Sequence, residues 1–150
     1  MRAVLQRVSR ARIVIENHSL RSIEKGLVVL LGIEHDDSSE DSEWLAGKIA
    51  RLRIFSDDND KMNLSLQDIN GEAMIVSQFT LHASTKKGNR PSWIRAAGPL
   101  KAEAMYNQFL TVFQAYIEKP LVNGKFGAHM DIELVNDGPV TIFIDTKNRE

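Results

Sequence analysis

Hydrophobic and polar positions alternate through RAVLQRVSRARIVIE near the start of the chain, with Ala11, Ile13 and Ile15 on one side and Arg10, Arg12 and Glu16 on the other. A period of two predicts a strand with one buried face. ENHSL (16–20) supplies a turn. GLVVLLGI (26–33) is apolar almost throughout and punctuated by glycines, which predicts a strand covered on both faces. The period then lengthens. Trp44, Leu45, Ile49 and Leu52 recur at helical spacing behind DDSSED, whose Ser or Asp cap and first-turn acids suit the positive end of a helix. A helix from about Ser39 to Arg51 is expected.

RLRIFS reads as a short strand and SDDNDKMN as a polar loop, while AMIVSQFTL (73–81) is the clearest strand in the chain. HASTKKGNRPSWIRAAGP is too long and too polar for a tight turn, and loops of this length are often functional. Pro99 opens a second helix at the position proline tolerates best. Its buried stripe is Ala102, Met105, Tyr106, Phe109, Phe113, Tyr116 and Ile117, and Pro120 ends it. Two alternating strands follow, one carrying Met130, Ile132 and Leu134, the other Val140, Ile142 and Ile144, with NDGP between them. Two helices and five or six largely antiparallel strands make an α+β or α/β sandwich.

Composition narrows the class. The chain has 150 residues, 43% of them hydrophobic, and no Pro/Gly/Ser-rich divider, so one domain over 1–150 is expected. A formal charge of −1 leaves only a local patch to meet any polyanion. The absence of cysteine excludes thiol catalysis, disulfides and thiolate metal sites. No signal-peptide core opens the chain and no apolar run approaches the ~18 residues of a membrane span. A soluble cytoplasmic protein is the expectation.

Within SQFTLHAS (77–84), Gln78, Thr80 and His82 alternate with Phe79 and Leu81, so a strand here presents a row of hydrogen-bonding groups on one face. Thr80 and His82 would leave that face ~7 Å apart and parallel, a poor geometry for a nucleophile–base pair that must come within ~3 Å. No serine elbow is present. DDNDKMN fails as a calcium loop, because Met62 stands where the sharp turn needs glycine. The four histidines His18, His35, His82 and His129 have no metal-ligand spacing. The loop STKKGNRPSWIR gathers Lys86, Lys87, Arg90 and Arg95 around Trp93, either a solvated loop or a phosphate-tracking patch with a stacking aromatic. NDGPVT (136–141) announces a hairpin turn, but Gly138–Pro139 is also the one common context for a cis peptide.

SQFTL and NDGPVT together, with MRAVLQRVSRA, KGLVVLLG, KIARLRIF, KMNLSL, TKKGNRPS and KFGAHM in the same order, resemble the D-aminoacyl-tRNA deacylase family over essentially the whole chain. His82 and His129 depart from the commonest form, which has tyrosine and aspartate there. The resemblance implies an α/β fold of mainly antiparallel, twisted, barrel-like sheets with two helices, and a homodimer whose active sites lie at the subunit boundary. Ser77, Gln78, Phe79 and Thr80 would form the catalytic floor. A cis Gly138–Pro139 from the partner would exclude L-amino acids by its carbonyl oxygens, braced by Arg7. Phe126, Gly127 and Ala128 would receive the terminal adenosine, with Lys86 and Lys87 toward the tRNA. The implied reaction is hydrolysis of D-aminoacyl-tRNA, and of glycine mischarged onto alanine tRNA, without cofactor, metal, membrane or DNA. The resemblance also implies that the proton would be handled by the substrate's own 2′-hydroxyl. An RNA-binding module without turnover, or an esterase with Thr80 as nucleophile, stand as alternatives.

Overall fold

The computed structural model describes residues 1–16 and 18–149; the turn expected over 16–20 includes Asn17, which lies outside the described residues. The chain opens with the long strand β1 (Arg2–Ile15), followed by β2 (Ser19–Ile23) and β3 (Gly26–Gly32). Both β2 and β3 pair antiparallel with β1, β3 along its first half and β2 along its last five residues. Helix α1 (Ser39–Arg51) has the expected bounds. Ser38 caps it, its N–H donating to Asp41 Oδ2 at 3.0 Å, so an acid of the first turn closes the helix end. The short strands β4 (Phe55–Ser56) and β5 (Met62–Leu64) form a separate ribbon, so only the end of RLRIFS is strand.

Strand β6 (Glu72–Ser77) pairs parallel with β3, and β7 (Val122–Asn123) parallel with β6. Parallel neighbours need a crossover. Helix α1 lies in the first crossover and α2 (Pro99–Gln114) in the second, and the two helices pack against each other. The helical stripe of α2 is buried as expected at Ala102, Met105, Tyr106, Phe109 and Phe113, but the helix ends before Tyr116 and Ile117. The largely antiparallel expectation therefore holds for β1 and its neighbours, with two parallel pairings added.

The apolar run of β3 shows why it carries no polar face. Leu27, Val29 and Leu31 enter the cluster shared with both helices, whereas Val28 belongs to a second cluster with Ile13, Ile15, Met74 and Val76. The same split in β6 sends Ala73 and Ile75 one way and Met74 and Val76 the other. The sheet thus curls, nearly closed and barrel-like, around the second cluster while the helices cover its other face.

Two expectations are corrected. The closing segment is one strand, β8 (Met130–Asp145), and not a hairpin. Both of its halves pair antiparallel with β1, which has one residue between Gln6 and Val8 where β8 has four between Asn136 and Thr141. NDGP is therefore a bulge thrown out of a continuous strand, because β1 is long enough to hold both halves in line. Likewise, the strand expected over 73–81 stops at Ser77. Pairing with β3 ends at Leu31 and Ser77, Gln78 N–H donates to Leu31 O at 2.7 Å, and the chain then enters a 3₁₀ turn at Phe79–His82.

Candidate active site

A cavity of about 620 Å³ opens at the end of β6. Its lining includes Ser77, Gln78 and Phe79 from the strand end, Phe126, Gly127 and Ala128 from the loop before β8, and Trp93 from the basic loop. Two groups of residues about fifty positions apart in sequence are thereby brought to one place. Thr80, Gly138 and Pro139 are not among the lining residues of this chain.

The 3₁₀ turn sets the chemistry of the floor. Leu81 and Ala83 amides donate to the Gln78 and Thr80 carbonyls at 3.3 and 3.0 Å. The amides of Phe79 and Thr80, at the start of the turn, have no carbonyl acceptor within it. Such amides are held rigidly and are able to stabilise a developing negative charge. Gly32 allows the turn to sit this close to β3: a Cβ there would lie 3.0 Å from both Gln78 O and Leu81 Cβ. The floor was expected to be held by a sheet, and it is held by this turn at the sheet's end.

The turn also separates Thr80 from His82. Thr80 is exposed and accepts a hydrogen bond from Gln78 Nε2. His82 is fully buried, and neither ring nitrogen meets a hydrogen-bond partner among the described residues. Nδ1 lies 3.8 Å from Glu34 Oε2. Burial pushes the His82 pKa down, against the Gly32 backbone and the Glu34 carboxylate, which pull it up. The shared strand face expected for Thr80 and His82 does not exist, so the pair is no dyad.

Phe79 stands out at 57% exposed, with the Trp93 ring edge-on at 5.8 Å and 69°. Trp93 reaches the cavity because its loop is pinched at the base, where Ser84 and Ser92 exchange two backbone hydrogen bonds of 2.7 and 3.0 Å. The exposed Lys86, Lys87 and Arg90 are carried on the segment between them. The composition of the loop marks Trp93 as a stacking aromatic among cations, but its tie to Phe79 has no local signal.

The Gly138–Pro139 peptide is cis, in the β8 bulge. Arg7 braces that bulge: Nε donates to Asp137 O at 2.7 Å and Nη1 to Ile54 O at 2.6 Å. Asn136, which sequence reasoning passed over, closes it from within. Val140 N–H donates to Asn136 Oδ1 at 2.8 Å, and Asn136 Nδ2 donates to Val140 O at 3.2 Å and to Gln6 Oε1. The position before an Asp-Gly pair is where an Asx-type turn is expected, which is the signal available for it. Gly138 has φ +150°, and a Cβ there would lie 2.7 Å from Val140 N, so only glycine fits.

Among known proteins, the D-Tyr-tRNA(Tyr) deacylase family matches residues 4–145. The chain is 54% identical over 150 residues to the D-aminoacyl-tRNA deacylase of Flavobacterium johnsoniae and 55% identical over 150 residues to that of Parabacteroides distasonis, covering 100% of both chains in each case. A solved structure titled c-Myc DNA Unwinding Element Binding Protein superposes with a TM-score of 0.91 at 39% identity, over 97% of this chain and 98% of that one. A structure titled as a probable eukaryotic D-amino acid tRNA deacylase shares the fold, with a TM-score of 0.80 at 16% identity over 95% and 97% of the two chains. With the match running almost end to end, the chain belongs to the D-Tyr-tRNA(Tyr) deacylase family.

Proposed function

We propose that this protein hydrolyses the ester between a D-amino acid and the terminal ribose of tRNA, and that it does so in the cytoplasm as a homodimer of a single-domain chain. The observation that carries the reading is the cavity that joins Ser77–Phe79 to Phe126–Ala128 in a family of D-aminoacyl-tRNA deacylases. The adenosine lies against Phe126, Gly127 and Ala128, and the aminoacyl carbonyl meets the amides of Phe79 and Thr80. Lys86 and Lys87 lie toward the tRNA body. A water oxygen bonds to the carbonyl carbon, the ribose oxygen leaves, and the proton passes to it by way of the substrate's 2′-hydroxyl. An ester this activated needs placement and oxyanion donors rather than a covalent nucleophile.

Gly138 and Pro139 of the partner close the site in this reading, their carbonyl oxygens standing where an L side chain would project. The exposed apolar residues Leu134, Val135 and Phe143 on β8 support self-association through that strand. A long strand with apolar exposure on a sheet edge is a natural pairing surface. Glycine, lacking a β-carbon, passes such a filter. Purified protein is expected to release amino acid from D-tyrosyl-tRNA and glycyl-tRNA while sparing L-tyrosyl-tRNA. Hydrolysis of the L-ester at the rate of the D-ester would overturn the filter, and binding without any release would overturn the enzyme.

A further inference from the structure

A second cavity, of about 400 Å³, lies beside Phe126. Its volume is within the ~300–1,000 Å³ of ordinary ligand sites, but its lining differs from that of the first. Arg21, Lys125, Asn107, Asn123 and Glu103 line it, whereas the larger cavity is faced mainly by apolar side chains. Phe126 borders both. Tyr106 backs it, 6.1 Å from the Phe126 ring, its hydroxyl already donated to Ile75 O at 2.7 Å. Two adjoining cavities with a common aromatic wall suit a ligand of two consecutive units.

The charged unit would meet Arg21. Nη1 donates to Asn123 O at 2.5 Å and Asn123 Oδ1 at 3.2 Å, which fixes the guanidinium at the rim. Its Nε and Nη2 have no partner among the described residues, and this planar fork is the group best matched to phosphate oxygens. Lys125 is beside it, paired with Glu16 at 2.9 Å in an exposed contact that costs little to open. The side-chain amide of Asn107 offers a donor and an acceptor, as the edge of a pyrimidine requires. That of Asn123 is held in place, its Nδ2 donating to Gly124 O at 2.9 Å and its Oδ1 accepting from Arg21, with one N–H and one lone pair left for a ligand.

We infer that this cavity receives the nucleotide preceding the terminal adenosine, with its phosphodiester on Arg21 and its base edge at Asn107 and Asn123. The inference rests on the reading that the larger cavity holds that adenosine. Two esters test it: D-tyrosyl-adenosine and the D-tyrosyl ester of cytidylyl-(3′→5′)-adenosine. The wild-type protein is expected to favour the dinucleotide ester by about tenfold in kcat/KM, the scale of one charge-assisted contact, mostly through KM. Arg21→Ala is expected to erase that preference and to lower the salt slope of KM by about one unit. Its rate on D-tyrosyl-adenosine stays at the wild-type value, which also reports that the variant is folded. Arg21→Glu is expected to disfavour the dinucleotide ester. A wild-type protein that treats both esters alike, a preference that survives in Arg21→Ala, or a variant that slows both equally would each overturn the inference. Failure of the wild type to hydrolyse either ester would overturn the deacylase reading itself, and this inference with it.

Discussion

Thr80 and His82 lie two residues apart in the chain, one in solvent and the other in the core. Their separation carries two predictions. Because the Thr80 hydroxyl meets only the Gln78 amide, and no base, among the described residues, Thr80→Ala is expected to keep the rate of D-tyrosyl-tRNA hydrolysis within about tenfold of wild type, as loss of a hydrogen bond and not of a nucleophile would do. Loss of all turnover would reinstate a covalent mechanism. His82 makes itself felt through stability. Burial holds it neutral in the folded state, below its ordinary value of 6.5, and Arg2 and the amino terminus push it further down. The unfolded chain therefore binds the proton more readily, so stability is complete above pH 6.5 and falls as acid is added through the window below it. Burial raises Asp41 and Asp145, yet it is outweighed by hydrogen bonds from Lys147 combined with those from Ser38 and Thr146 at Asp41 and with the hydrogen bond and charge of Arg2 at Asp145, which keep both below the usual carboxylate range, so their losses begin only at lower pH. Thermal midpoints measured from pH 8 to 5 are expected to decline for the wild type and to stay nearly level for His82→Phe. Alternation of residue types made Gln78–His82 look like strand, and no local signal marks the place where β3 runs out and the chain must turn.

Among the elements, helices were the most legible, since their period and caps are local properties. The bounds of α1 follow from Ser38 and Asp41, and the start of α2 from Pro99. Strand partners were not legible, because they are chosen by residues far along the chain. β8 looked like a hairpin because the Asn-Asp-Gly run normally reverses direction; here fourteen residues of β1 hold both flanks, and the excess is expelled as a bulge. The bulge depends on side chains that stand in for the missing ladder. Removing the Asn136 amide leaves the Val140 N–H and carbonyl without their partner, a cost of about 1–3 kcal/mol if neither recovers water. Urea unfolding of Asn136→Ala is expected to read a loss of that size. In the same variant, hydrolysis of L-tyrosyl-tRNA is expected to rise relative to D-tyrosyl-tRNA, since the bulge is the proposed filter. Equal destabilisation with unchanged D/L discrimination would confine Asn136 to the fold.

At the scale of the whole molecule, the two halves of the proposed site lie on different parts of one chain. The floor and the adenosine cavity are at the end of β6, and the filter stands on the β8 bulge beside Arg7 and Ile54. A site assembled from two copies makes a demand that no monomeric site makes. Gly138→Val spoils the filter, because φ +150° and the 2.7 Å approach to Val140 N forbid a side chain, but it leaves that subunit's floor intact. Gln78→Pro spoils the floor, because it deletes the amide that donates to Leu31 O, but leaves that subunit's filter intact. Each homodimer then has two defective sites. A mixed dimer has one site with both defects and one with neither if, as proposed, floor and filter come from opposite subunits. Gly138→Val alone is expected to lose D/L discrimination and Gln78→Pro alone to lose turnover, so co-refolding the two is expected to restore D-specific hydrolysis that neither shows alone, and size-exclusion chromatography should place the D-specific fraction at the mass of a dimer. If the filter served the floor of its own chain, every site in every mixture would carry one defect, and D-specific hydrolysis would not return.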